Sequence, residues 1–173
     1  TDCRRGEGDV HGTAFGGAGW RAVHLDPALD RARVAALLAA APDLSVLTTG
    51  EPPAPGDVAA FFEDRPPARP GATVWKLGIE AATDDGRETA AARPLLGLLD
   101  VALDYPASGT WYVALLLVRP DRRGRGLGTA VVETLAGAAA AADARALRLV
   151  VIEANRRGRA FWARLGFRVA RVV

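Results

Sequence analysis

Three glycines at alternate positions, Gly124, Gly126 and Gly128, are interleaved with arginines and lead directly into an apolar helical pattern. A helix N-terminus presents backbone N–H groups that have no acceptor in the helix, and it carries about half a positive charge. Because glycine has no side chain, an anion can approach these N–H groups closely. The neighbouring Arg123 and Arg125 add charge and bidentate hydrogen-bond donors. These residue types in this order predict a cradle for a pyrophosphate group.

Two familiar phosphate motifs do not match this stretch. The P-loop of ATP- and GTP-binding proteins needs a lysine followed by Ser or Thr after its last glycine, whereas the single lysine, Lys76, lies far upstream. The dinucleotide fingerprint needs the spacing G-x-G-x-x-G in an early βαβ unit. The remaining alternatives are a glycine turn that serves only packing and an exposed Arg-Gly patch that contacts nucleic acid.

Composition narrows the class of protein. The chain of 173 residues is 50% hydrophobic and 24% charged, which is typical of one soluble domain. Its formal net charge is only +2, whereas a nucleic-acid-binding protein normally carries a clustered basic surface. The single cysteine allows neither an internal disulfide nor a cysteine-based metal cluster. No apolar run approaches the roughly 18 residues of a membrane-spanning helix. We therefore expect a cytoplasmic protein that binds no nucleic acid, membrane or metal.

Hydrophobic periodicity predicts a mixed α/β domain over residues 20–173, preceded by a flexible, glycine-rich leader at residues 1–19. The order of the predicted elements places a strand–helix–strand crossover at the centre of the domain. The predicted elements are strand Trp20–Leu25, a helix with Asp26 as its N-cap and Pro42 after its end, a short helix at Asp57–Asp64, strand Thr73–Ala82, a turn at Asp84–Arg87, a strand in PLLGLLDVALDYP, strand Thr110–Val118, a helix from the glycine stretch to about Ala142, strand Ala146–Ala154, a helix capped by Asn155 and stopped at Gly166, and a final strand from Phe167.

Two motifs on these elements resemble those of one enzyme family. The pattern R-x-x-G-x-G, formed by Arg123, Gly126 and Gly128, resembles the acyl-CoA-binding motif of the GNAT superfamily of N-acyltransferases. Downstream, NRRGRAFWARLGF is similar to the family pattern N-x-x-A-x-x-F-Y-x-x-x-G-F. It departs from that pattern at Gly158, which is usually alanine, and at Trp162, which is usually tyrosine. The matching downstream positions are Asn155, Phe161, Gly166 and Phe167.

The resemblance implies a mixed, mostly antiparallel sheet of six to seven strands flanked by about four helices, with central strands four and five splayed apart. It implies that acetyl-CoA is the co-substrate, with its pantetheine arm between these strands and its pyrophosphate on the amides from Arg123 to Thr129. Asn155 has a competing interpretation as a helix N-cap, and Phe161 as a core residue. The implied cofactor-binding residues are Leu116, Leu117, Val118, Arg123, Gly124, Arg125, Gly126, Leu127, Gly128, Thr129, Asn155 and Phe161.

The reaction implied by the resemblance is transfer of an acetyl group to a primary amine, which we expect to belong to a small molecule. An alkyl amine with a pKa of about 10 must lose a proton before it attacks, so a base helps. The candidate catalytic residues are Asp100, on the less apolar face of its strand together with Asp104, and Tyr112, where some relatives place a catalytic glutamate. Glu80 is a further carboxylate, and a salt-bridged or solvated group is the structural alternative for each. Trp162 replaces the tyrosine that often protonates the thiolate, and an indole N–H is not a practical acid.

The acceptor is less constrained than the cofactor. The family takes its acceptor specificity partly from the region that holds four carboxylates here: Glu51, Asp57, Glu63 and Asp64. These residues either attract a polyamine, an aminoglycoside-like amine or a basic peptide, or are charges at helix termini. Two other functions stay open: a CoA-binding module without catalysis, and an acetyltransferase that acts on a protein amine. We expect a monomer or a homodimer.

Overall fold

The computed structural model describes residues 12–69, 71–82 and 92–172. In these residues, six strands form one sheet with five α-helices around it. The strands are β1 (Thr13–Gly17), β2 (Trp20–His24), β3 (Val74–Ala81), β4 (Gly97–Ala102), β5 (Thr110–Val118) and β6 (Ala146–Leu149). The helices are α1 (Arg31–Ala40), α2 (Asp43–Thr49), α3 (Pro55–Glu63), α4 (Leu127–Ala141) and α5 (Arg156–Arg164). The predicted turn at Asp84–Arg87 lies outside the described residues, as do residues 1–11.

The strands lie in the sheet in chain order, from β1 to β6. All neighbours are antiparallel except β5 and β6, which are parallel. Helix α4 makes the crossover between them, as a parallel pair requires. The predicted mixed and mostly antiparallel sheet is therefore confirmed, with six strands and five helices among the described residues.

Each face of the sheet carries its own hydrophobic core because side chains alternate along a strand. On one face, Leu99 and Val101 of β4 pack in the same cluster as Val131 and Leu135 of α4. On the other face, Leu98 joins the cluster formed with α1 and α3. The alternation of side chains along β4 thus separates two helical layers.

The leader prediction is wrong for its last part. Residues 13–17 form β1, which pairs with β2 through a turn at Gly19, where φ is +77°. The ring of Phe15 meets that of Trp20 edge to face at 6.2 Å. Main-chain hydrogen bonds to β2 hold this strand. Its glycine-rich sequence has no hydrophobic alternation from which a strand could be predicted.

The start of the first helix also differs from the prediction. Helix α1 begins at Arg31, with Asp30 rather than Asp26 as the preceding residue. The Asp26 carboxylate instead accepts a hydrogen bond from the Ala28 N–H at 2.6 Å and stabilises a separate turn. Helix α2, which follows Pro42, was not predicted, and the short helix expected at Asp57–Asp64 is α3.

The predictions for the last strands are wrong in extent. The strand predicted at Ala146–Ala154 ends at Leu149, and it is only half-buried. No strand lies in the described residues after Phe167. A strand persists only where a neighbour supplies hydrogen bonds, and the pairing of β6 with β5 stops at Leu149.

A buried ion-pair network accounts for Glu80. Its side chain is 2% exposed and pairs with Arg21 at 2.9 Å, with Arg33 and with Arg93 at 3.6 Å. Arg33 also binds Asp30 at 2.8 Å, which ties the start of α1 to the sheet. Glu80 therefore has a structural role in the fold. Of the two interpretations given for this carboxylate, catalytic base or salt-bridged group, the structure supports the salt bridge.

Candidate functional site

The site begins where β5 and β6 separate. Their pairing runs only from Thr110 opposite Ala146 to Val113 opposite Leu149. The register of β5 with β4 shifts at the same place, and Ala114 is the extra residue. Such a bulge bends a strand away from its neighbour. The exposure of Ala114, within β5, marks this gap. Since β1 was not predicted, β5 and β6 are the fourth and fifth predicted strands, and the splay predicted between them is confirmed.

Beyond the bulge, β5 has one open edge. The Arg119 N–H donates to the Leu96 C=O at 2.8 Å, so it faces β4. Main-chain groups alternate between the two edges of an antiparallel strand, which directs the N–H and C=O of Val118 and Leu116 into the gap. Leu117 directs its main-chain groups at β4, and the residue is buried. Two of the three predicted main-chain partners, Leu116 and Val118, therefore face the gap.

The glycine loop follows the open edge. Gly124 and Gly126 have φ values of +71° and +83°, and a Cβ at either position would have nothing within 4 Å. The first intrahelical hydrogen bond of α4 runs from the Ala130 N–H to the Gly126 C=O at 2.9 Å. The amides of Leu127, Gly128 and Thr129 consequently have no acceptor within the helix. Exposed Arg125 lies between the two left-handed glycines, so the loop has an open, cationic front.

At Gly128, close packing rather than a positive φ favours glycine. A Cβ at this position would lie 3.3 Å from Cζ of Phe161 and 3.7 Å from Cγ2 of Val118. The first turn of α4 therefore packs closely on α5 and on the end of β5. Phe161 is half-buried here, outside both buried clusters. Its ring borders the glycine loop, so it lies at the site rather than within either core.

Arg123 is oriented towards protein groups. Its Nε donates to the Val118 C=O at 2.7 Å, and its two terminal nitrogens bind both carboxylate oxygens of Asp43, at 2.6 and 2.9 Å. Its backbone N–H donates to the Pro120 C=O at 3.2 Å. The backbone amide of Arg123 was predicted to hold a pyrophosphate, but it is already hydrogen-bonded within the protein. The guanidinium of Arg123 is occupied as well, by Asp43.

The helix-cap interpretation of Asn155 is confirmed. Its Oδ1 accepts a hydrogen bond from the Gly158 N–H at 2.8 Å at the start of α5. A Cβ at Gly158 would lie 2.5 Å from Nδ2 of Asn155. The departure from alanine at Gly158 therefore gives the Asn155 side chain the room it occupies in this cap.

Trp162, the second departure from the family pattern, is held among aromatic rings. Its ring meets that of Phe161 at 5.1 Å and that of Phe167 at 4.9 Å, both edge to face. It is partly buried and packs against the core under α4. These contacts give Trp162 a packing function.

Asp100 lies beside the bulge, opposite Leu115. Its side chain is 11% exposed, and its Oδ2 accepts a hydrogen bond from Nζ of Lys76 at 2.6 Å. Burial raises the pKa of Asp100, and the hydrogen bond from Lys76 opposes that shift. Oδ1 has no hydrogen-bond partner in the described part of the chain and is not fully buried. Asp100 thus keeps one carboxylate oxygen available beside the bulge of β5.

Tyr112 is on the same face of the sheet as Asp100. It pairs with Ala102, two residues after Asp100, and its ring meets that of Tyr105 edge to face at 5.6 Å. Burial raises the pKa of the half-buried Tyr112 hydroxyl. The other acidic candidate on β4, Asp104, instead accepts a hydrogen bond from the Gly109 N–H at 2.6 Å in the hairpin. The structure therefore places Asp100 and Tyr112 on one face of the sheet and assigns Asp104 to the turn.

Neither a metal site nor a membrane span is found in the described ranges. No group of three or more His, Cys, Asp or Glu side chains is placed there to hold a metal ion. No single helix in those ranges is long and apolar enough to cross a membrane. Helices α1 and α2 together are, by length and composition, but the chain bends by 79° between them.

Comparison with known proteins agrees with this geometry. The model of the acetyltransferase (GNAT) family matches residues 49–167. An acetyltransferase from Thermus thermophilus has a similar structure, with a TM-score of 0.67 and 26% identity over 87% of each chain. PaiA N-acetyltransferase from Thermoplasma acidophilum, solved in complex with coenzyme A, has a TM-score of 0.59 and 13% identity over 89% of this chain and 92% of its own. An aminoglycoside acetyltransferase from an uncultured soil metagenomic sample has a TM-score of 0.54 and 20% identity over 89% of this chain and 95% of its own.

The fold, the open edge of β5 and the glycine loop define an acyltransferase. Since the family match covers more than half of the chain and includes both motifs, the chain belongs to the GNAT acetyltransferase family. Members of this family use acetyl-CoA and act on amine substrates, so this protein is an acetyltransferase.

Proposed function

We propose that the protein transfers the acetyl group of acetyl-CoA to the primary amine of a small molecule. The observation that carries this proposal is the continuity of the open edge of β5 with the N-terminus of α4. The main-chain groups of Leu116 and the N–H of Val118 fit the amides of a pantetheine arm, and the amides from Gly124 to Thr129 fit a pyrophosphate. The positive φ and open surroundings of Gly126 leave room for that group.

The chain's own groups suffice for the chemistry at the thioester. N–H groups at the open edge are donors that polarise the thioester carbonyl when its oxygen lies in the gap. Asp100 accepts the proton that the acceptor ammonium must lose, through its available Oδ1. Its burial-raised pKa brings this base closer to neutral pH, where general bases work best. Tyr112, whose pKa is raised, keeps its hydroxyl proton and can orient the amine by a hydrogen bond.

The charges near the site favour a small amine over a polycation. Asp57 accepts a hydrogen bond from the Ala54 N–H at 2.9 Å and thereby caps α3. Glu63 pairs with Arg31 at 3.6 Å. Lys76 neutralises Asp100. Asp57 and Glu63, two of the four carboxylates in the region expected to recognise the acceptor, thus already have protein partners, which reduces the attraction of this region for a polyamine.

We expect CoA to raise the melting temperature of the protein. A ligand at 100 times its Kd adds about 2.7 kcal/mol to the free energy of unfolding, which for a domain of this size corresponds to a shift of roughly 5–10 °C. Differential scanning fluorimetry with CoA measures the shift, and ATP serves as a control for binding of any phosphate compound. No shift at millimolar CoA in a folded sample would contradict the cofactor assignment.

Thiol release from acetyl-CoA with a panel of amines then tests catalysis. Release with small primary amines supports the proposed function. CoA binding without release for every acceptor would favour a non-catalytic module, and release only with peptides would favour a protein acceptor. The cytoplasmic location stays a prediction in each case.

Trp162→Phe is expected to keep kcat within about tenfold of wild type, with any loss chiefly in KM for acetyl-CoA. The indole cannot protonate the thiolate, and a thiolate with a pKa of about 8.5 can leave without an acid. Phenylalanine preserves the edge-to-face contacts with Phe161 and Phe167. Steady-state kinetics measures both constants. A loss of about a thousandfold in kcat, with normal acetyl-CoA binding, would show that Trp162 takes part in the chemistry.

A further inference from the structure

The guanidinium of Arg123 joins two parts of the fold that are 80 residues apart. Its Nε binds the Val118 C=O at the end of β5, and its outer edge binds Asp43 in the first turn of α2. Both carboxylate oxygens are engaged, at 2.6 and 2.9 Å. A planar fork held at both edges has a fixed position and a fixed orientation.

The Val118 C=O needs such a donor because of the gap. Strand β6 ends at Leu149, opposite Val113, so no strand among the described residues faces the end of β5 on this side. An unpaired carbonyl there would depend on water or on a side chain. Arg123 supplies that donor and thereby marks the end of the open edge, immediately before Gly124.

Helix α2 depends on the same contact. It contains no buried residue, and only Leu44 packs against the core beside α1 and α3. Val46 and Leu47 are 47% and 36% exposed. The hydrogen bond from Arg123 lowers the pKa of Asp43, so this carboxylate stays charged throughout the neutral range. Apolar packing therefore holds α2 weakly. The ion pair between Asp43 and Arg123 attaches α2 to the segment that joins β5 to α4.

We propose that Asp43 is a positioning residue for the cofactor, acting through Arg123 on the glycine loop. The pair holds the residue before Gly124 at a fixed distance from the open edge of β5. Without the ion pair, the loop would have to become ordered when CoA binds. That ordering would cost free energy and would weaken the binding of CoA. Asp43 would then set the affinity for CoA from α2 without contacting CoA. This inference rests on the proposed function, since CoA is its ligand.

The test is direct CoA binding by calorimetry to Asp43→Ala. We expect Kd for CoA, and KM for acetyl-CoA, to rise roughly tenfold while kcat at saturation stays within about threefold. Asp43→Glu, which can still form the ion pair, is expected to recover most of the affinity. Asp43→Asn keeps the shape of the side chain and one acceptor oxygen, so we expect an intermediate Kd even if Asp43→Ala folds poorly.

Asp121→Ala is the matched control. Asp121 pairs with Arg119 at 2.6 Å near the same loop, and its side chain is 58% exposed against 57% for Asp43. Its removal changes the local charge equally, but the pair joins neighbouring residues and ties no second element to the loop. We expect its CoA Kd to stay within about twofold of wild type.

Three results would overturn the proposal. A lower melting temperature of Asp43→Ala with unchanged CoA affinity would give the pair a purely structural role. Tighter CoA binding by Asp43→Ala would mean that Asp43 competes with the pyrophosphate for Arg123. If wild type itself fails to bind CoA, the proposed function falls together with this inference, whereas the first two results overturn this inference alone.

Discussion

Gly126→Val is expected to weaken CoA binding by about a hundredfold or more. Gly126 has a φ of +83°, which a β-branched residue adopts only with strain, so the loop must change shape. The open space next to Gly126 is also where the pyrophosphate is proposed to lie, and a valine side chain would fill it. Calorimetric titration with CoA measures the loss of affinity.

Gly19→Val separates backbone strain from loss of the cradle. Gly19 also has a positive φ, +77°, with nothing within 4 Å of a Cβ, but it lies in the turn between β1 and β2. We expect both variants to lose stability in thermal unfolding and only Gly126→Val to lose CoA affinity. Unchanged affinity in Gly126→Val would refute the assignment of this loop to the cofactor.

Asp100→Asn is expected to lower kcat/KM by roughly 100-fold, because an amide cannot accept the proton of the acceptor ammonium. In wild type, kcat/KM should fall as the pH drops through the pKa of Asp100. Burial raises that pKa above its ordinary value, so the acid limb should lie at higher pH than for an exposed aspartate. The variant should lack this limb. Steady-state kinetics across pH measures both effects.

The stability of Asp100→Asn must be controlled because Lys76 loses its counter-charge in a buried position. Breaking a buried ion pair costs about 3–5 kcal/mol, so the assays belong well below the melting temperature of the variant. A CoA Kd within about threefold of wild type would show that the site is intact. Asp104→Asn, which alters a carboxylate of the same hairpin, is expected to leave kcat/KM within about threefold. An Asp100→Asn variant with an unchanged pH profile would exclude Asp100 as the base.

Local sequence signals predicted several elements closely. Strand β5 matches its predicted bounds, Thr110–Val118, because an apolar run between turns needs no tertiary information to be recognised. Helix α5 has its predicted cap, Asn155, since a side chain that caps a helix acts within three residues of itself. The elements that were missed, β1 and α2, are held by main-chain pairing and by an ion pair, and neither leaves a hydrophobic period.

For this protein, the sequence by itself determined the GNAT family and the glycine loop, since their motifs depend on residue types at short spacings. The opening of strand β5 was implied only by the resemblance to that family. Only the tertiary structure decided which partners the charged groups have. Arg123 binds Asp43 and Lys76 binds Asp100, through contacts 80 and 24 residues apart along the chain. It also decided that Leu116 and Val118 face the gap while Leu117 faces β4. Register and long-range packing set such contacts, because a shift of one residue in a strand reverses which edge and face each group presents.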